Sequence, residues 1–112
     1  MKFSVLMSIY QKESSQNFDR AMQSIWSDQG IKPSEIVLVQ DGPLPNALHS
    51  QLEQWKSDLG EVLNWIVLEE NVGTGKAKNI GVRACSYELI AVMDTDDIAL
   101  PDRFEKQLAV FE

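Results

Sequence analysis

Apolar residues along this chain follow two alternating rhythms. Residues 3–9, 35–40, 63–68 and 89–93 are short, nearly continuous apolar runs, the pattern of strands in a mostly parallel sheet. The last of them has the character of a strand buried on both faces. Between the runs, apolar residues recur every three or four positions. Phe18, Ala21, Met22, Ile25 and Trp26 mark a helix over 17–28, closed by Gly30 and Pro33. Leu48, Leu52, Trp55 and Leu59 mark a second over 45–59, stopped by Gly60. A short third helix spans 76–84, and a last begins near Pro101 and runs to the end of the chain. Four strand–helix alternations predict an α/β fold with right-handed crossovers between parallel strands. The expected strand order is 3-2-1-4, with a switch point between the first and fourth strands. No repeat or linker divides the 112 residues, which read as one domain.

The polar residues that follow these strands carry the chemistry. Parallel strands end on a common edge, so Tyr10, Asp41 and the acids Asp94, Asp96 and Asp97 are expected to converge in a crevice suited to a nucleotide. The fourth strand runs straight into Asp94-Thr95-Asp96-Asp97. Three carboxylates within four positions repel one another and resist desolvation. A divalent cation such as Mg²⁺, Mn²⁺ or Ca²⁺ relieves both. The formal net charge of −7 argues against a nucleic-acid surface. No apolar run approaches the roughly 20 residues that span a bilayer, and residues 3–9 read as a first strand rather than a signal peptide. The lone Cys85 has no partner for an internal disulfide and reads as a small buried hydrophobe in a cytosolic protein.

Two tempting motifs fail on their own spacing. Gly73-Thr74-Gly75-Lys76 lacks the first glycine of a P-loop, where Glu70 stands, and Ala77 occupies the Ser/Thr position. What survives is a helix start whose backbone amides, with Lys76 or Lys78, would help hold a phosphate, against the plainer alternative of solvated lysines. Asp94-Thr95-Asp96 opens like a calcium loop, but Ala99 stands where glycine is needed and Ile98 offers no oxygen. His49 has no histidine or cysteine partner for zinc and is expected on the surface. Trp26, Trp55 and Trp65 fit the packing faces of their elements.

Four segments together resemble a known family. They are Ser4-Val5-Leu6-Met7-Ser8-Ile9-Tyr10, Ile36-Val37-Leu38-Val39-Gln40-Asp41-Gly42, Asn71-Val72-Gly73 through Lys78-Asn79-Ile80-Gly81, and Met93-Asp94-Thr95-Asp96-Asp97 with Pro101 and Arg103. In this order and at this spacing they resemble the family 2 glycosyltransferases of the GT-A fold, over nearly the whole chain. The resemblance implies a Rossmann-like nucleotide-sugar-binding domain over 1–112, from an inverting transferase of the kind that builds bacterial surface polysaccharides. It places Ser8 and Tyr10 beside the base, and Asp41 on a uracil edge. Gln40 stands where many relatives carry a second aspartate. Lys76 or Lys78 matches the basic position near the diphosphate. Asp94, Asp96 and Asp97 match the acidic motif for metal, with Asp96 also toward the ribose. The implied cofactor is Mn²⁺ or Mg²⁺, the donor a UDP-sugar, and the acceptor a saccharide or lipid-linked saccharide. The implied location is the cytoplasm, at the inner face of the membrane in a longer protein. The base that deprotonates the acceptor is expected beyond Glu112, so the chain reads as a portion that binds donor without transferring sugar. The rival readings are a haloacid-dehalogenase-type phosphatase, a Mg²⁺-binding receiver-type regulatory domain, and an interaction module that uses the fold without a donor.

Overall fold

The computed structural model describes residues 2–94 and 103–109. Its elements alternate as β1 (Ser4–Ile9), α1 (Ser15–Ile25), β2 (Glu35–Asp41), α2 (Asn46–Leu59), a single 3-10 turn (Gly60–Val62), β3 (Leu63–Leu68), α3 (Thr74–Ala84), β4 (Ile90–Val92) and α4 (Arg103–Ala109). Every strand pairing is parallel, and the order is β3-β2-β1-β4. This is the α/β architecture and strand order expected from the apolar pattern.

Strand residues alternate between two faces, and the register pairs Val5 with Ile36 and Leu6 with Val37. Val5, Met7, Ile9, Ile36, Leu38 and Leu63 therefore share one face and pack with Phe18, Met22 and Ile25 of α1 and Leu48 and Leu52 of α2. Leu6, Val37 and Val39 share the other and pack with Ala77 of α3. Helix α3 lies close because Gly81 meets the sheet there. A Cβ at that position would collide with Leu6 Cδ1 and stand 3.0 Å from Val39 Cγ2. Phe104 of α4 joins the first core and meets the Phe3 ring edge-on, with centroids 5.0 Å apart.

Several boundaries shift for local reasons. Helix α1 starts at Ser15, two residues early, because the Ser14 hydroxyl accepts the Asn17 N–H at 3.3 Å and caps it. It also ends earlier, at Ile25. Helix α3 starts at Thr74 because Gly73, at φ +93°, turns the chain into it. The expectation that the fourth strand is buried on both faces is corrected. Ile90 and Ala91 are only half-buried and Val92 is 47% exposed. The reason is that β4 pairs only with β1 among the described residues, while α3 packs over β1 and β2. The start of the last helix at Pro101 lies outside the described residues.

The three tryptophans are partly buried against the first core, as expected. His49 is exposed; its Nε2 lies 2.7 Å from Glu53 Oε1, and its ring lies 5.5 Å from that of Trp65. At the sheet edge where the strands begin, Glu35 ties three segments together. Its Oε1 accepts from Ser4 Oγ at 2.8 Å and from the Ser86 N–H at 2.8 Å, and its Oε2 accepts from Ser86 Oγ at 2.9 Å. Burial works against this carboxylate, but the bonds from Ser86 and Ser4 outweigh it and hold its pKa below the ordinary value. Cys85, half-buried beside it, is pushed up by burial and by the Glu35 charge. A thiol in that state is a poor nucleophile, which agrees with its reading as a packing residue. Among the described residues no helix is long and apolar enough to cross a membrane.

Candidate functional site

The strand ends and the start of α3 enclose a cavity of about 280 Å³, lined by Ser8, Ile9, Tyr10, Glu13, Asp41, Thr74 and Asp94. Four of the residues singled out in the sequence, Ser8, Tyr10, Asp41 and Asp94, thus meet at one place. They meet because β1, β2 and β4 are parallel and in register, so their C-terminal ends reach the same edge.

Asp41 is the fixed point of this cavity. It is 4% exposed, and both of its oxygens are engaged. Oδ1 accepts the Val72 N–H at 2.7 Å and Oδ2 accepts the Gly73 N–H at 3.1 Å. Its carbonyl accepts from Asn71 Nδ2 at 3.3 Å. The carboxylate therefore clamps the β3–α3 loop and places a negative charge at the N-terminus of α3, where the helix dipole favours it. The Val72 and Gly73 N–H groups, just before the start of α3, are thus taken by Asp41. Gly42 makes the approach possible. Its φ is +91°, and a Cβ there would stand 2.9 Å from the Asn71 nitrogen.

The two lysines separate. Lys78 Nζ lies 2.6 Å from Asp94 Oδ1 across the α3 face of the sheet, with side chains 26% and 55% exposed. At that exposure the pair contributes little to stability, but it sets a cation at the rim of the cavity. Lys76 is exposed and does not line the cavity. Of the acidic cluster, Asp94 is described; Asp96 and Asp97 lie outside the described residues, among which no group of three metal-ligating side chains occurs.

Sequence reasoning missed Glu13 and Thr74. Glu13 is held by its own N–H, which donates to the Tyr10 carbonyl at 3.1 Å and folds the β1–α1 loop back over the cavity. Thr74 is the first residue of α3, directly after the Gly73 turn. The available signals were position alone: one acid in a loop after the first strand, and one hydroxyl at a helix start.

The family model described as "Glycosyl transferase family 2" matches residues 4–112. The chain belongs to glycosyl transferase family 2. Among relatives, the amylovoran biosynthesis glycosyltransferase AmsE of Erwinia amylovora is 44% identical over 98% of this chain and 40% of its own length. The UDP-Gal:alpha-D-GlcNAc-diphosphoundecaprenol beta-1,3-galactosyltransferase of Escherichia coli is 38% identical over 93% of this chain and 37% of its own. The chain thus spans about two fifths of the length of these relatives. Among solved structures, S. aureus TarS 1-349 in complex with UDP-GlcNAc superposes with a TM-score of 0.77 at 26% identity, covering 99% of this chain and 31% of that one. A mannosyltransferase from Pyrobaculum calidifontis, solved with GDP-Man and Mn²⁺, shares the fold at a TM-score of 0.76 and 20% identity, over 97% of this chain and 31% of its own. The fold is the GT-A α/β fold of this family. The phosphatase and receiver-type readings find no support: the family match covers the whole sheet, and β1 is followed by Tyr10 where a receiver carries acids.

Proposed function

We propose that this family 2 chain is the donor-binding portion of an inverting glycosyltransferase of surface-polysaccharide biosynthesis. It takes a sugar from a UDP-sugar toward a saccharide or lipid-linked acceptor. The observation that carries this reading is the convergence of Ser8, Tyr10, Asp41 and Asp94 on one cavity at the edge where the parallel strands end. Ser8 and Tyr10 supply the wall beside the base. The Asp41 carboxylate, fixed by two amides, keeps lone pairs for one further N–H, such as the imide of uracil. Lys78 faces the diphosphate, and Lys76 contributes only long-range charge. The E. coli relative, named for UDP-Gal, and the neighbour solved with UDP-GlcNAc support uridine over other bases.

The donor set suits a hard cation. Asp94 stands at the cavity with its carboxylate half-exposed, and Asp94, Asp96 and Asp97 are the residues that would hold Mn²⁺ or Mg²⁺. A bound ion would neutralise the charge that grows on the nucleotide diphosphate as it leaves. Asp41 and Asp94 are engaged with amides and with Lys78, so neither is assigned as the base for the acceptor hydroxyl. Calorimetric titration of UDP, first with Mn²⁺ and then with EDTA, tests the reading. Binding that needs the metal is expected. Equal affinity under both conditions removes the metal bridge, and no binding of any nucleotide removes the donor site.

A further inference from the structure

Beside the cavity lies a buried tie that the donor reading does not use. Gln40 is 6% exposed and stands one residue before Asp41. Its Oε1 accepts from the Trp65 indole Nε1–H of β3 at 3.0 Å. Its Nε2 donates to the Gly42 carbonyl at 3.0 Å. The main chain closes the same turn, since the Gly42 N–H donates to the Gln40 carbonyl at 3.1 Å. Gln40 thus holds Gly42 with side chain and backbone together, and Asp41 sits between the two held residues.

The chemistry of the partners decides what this position needs. An indole N–H can only donate, and a peptide carbonyl can only accept. The side chain between them must accept on one atom and donate on the other. A neutral amide does both. A carboxylate would keep the Trp65 bond but set a negative oxygen against the Gly42 carbonyl in a buried place.

We propose that Gln40 is a positioning residue for the donor cavity: its amide, braced by Trp65, holds the Asp41–Gly42 turn so that the Asp41 carboxylate meets the Val72 and Gly73 amides and faces the nucleotide. This rests on the donor reading above for its effect on binding, and on the turn geometry alone for its effect on the loop. The titratable groups around the tie are Asp41 itself and, through the Trp65 ring, His49 with its partner Glu53.

The test compares Gln40→Glu and Trp65→Phe with the unaltered chain, using UDP with Mn²⁺ as the probe from about pH 5 to about pH 8. Gln40→Glu keeps the shape and loses the donor only when ionised. Its UDP affinity relative to the unaltered chain is expected to fall about tenfold at the upper end and to recover toward the lower end, where the buried carboxyl is protonated and donates again. Trp65→Phe keeps the ring against His49 and removes one bond, so a smaller, pH-independent loss is expected. Amide hydrogen exchange without ligand gives a second readout: Val72 and Gly73 should lose protection in Gln40→Glu at the upper pH while the strand amides of β1 keep theirs. A UDP affinity ratio that stays flat with pH, or unchanged protection of Val72 and Gly73, overturns the proposal. If the unaltered chain binds no nucleotide, the donor reading falls, and the exchange measurement still decides the role of Gln40 in holding the loop.

Discussion

Asp41→Asn replaces one carboxylate oxygen by an amide nitrogen at a site where both oxygens accept backbone N–H groups, at 2.7 and 3.1 Å. The variant side chain has one acceptor for two donors. Whichever way it turns, one backbone N–H faces an NH₂ group and the other keeps only a neutral bond. Hydrogen bonds to a charged group contribute about 1.5–3 kcal/mol and neutral ones about 1 kcal/mol. Losing one and weakening the other therefore costs about 2–5 kcal/mol. Removing the negative charge from the start of α3 adds a few tenths of a kcal/mol or more. Two effects oppose this: the variant carries one charge less in a chain of net charge −7, and it buries no ion. The first is weakened by salt screening. The second is already offset in the native protein by the two amides. A net loss of about 2 kcal/mol or more is expected. For a domain of this size, 1 kcal/mol moves Tm by about 4–8 °C, so the ligand-free melt should fall by about 8 °C or more. Circular-dichroism melts of the two proteins without nucleotide measure it. A ligand-free melt within about 2 °C of the unaltered chain, even with weaker UDP binding, would show that Asp41 meets the base but does not clamp the loop.

Two further outcomes follow from the packing and the lower sheet edge. Gly81→Ala gains about 1 kcal/mol of helix propensity, yet its Cβ collides with the fully buried Leu6. Overpacking of this kind costs about 1–3 kcal/mol, so a net loss near 1 kcal/mol is expected in urea melts, and a stabilised variant would show that Leu6 moves aside freely. Glu35 has a folded pKa below its ordinary value of 4.5, so its contribution is present above that value and is lost as pH falls through the folded pKa. Glu35→Gln, discounted for solvent screening, should cost about 0.5–1 kcal/mol at neutral pH. Urea melts should show that difference shrinking as the pH falls below the ordinary value of 4.5; a difference that is constant with pH would refute the linkage.

Much of this molecule is written in local pattern. Apolar period distinguishes strands from helices, and alternation of the two with no room for hairpins demands parallel pairing. Parallel pairing in turn brings Tyr10, Asp41 and Asp94 to one edge before any coordinate is known. The family motifs lie at those same positions, because that edge is where the backbone turns toward solvent and side chains are free to carry chemistry. Tertiary structure decided the rest. Asp41 finds its amides 31 and 32 residues away, and Gln40 finds its indole 25 residues away; no spacing rule links such partners, because packing of the whole sheet brings them together. Lys76 and Lys78 were equal candidates in the sequence. Being two residues apart they point about 200° apart around a helix, and only the seating of Ala77 and Gly81 on the sheet turns Lys78 toward Asp94. The apolar run before Asp94 read as a buried strand, yet its exposure depends on which strands and helices flank it, and those neighbours are set by the fold rather than by its own residues.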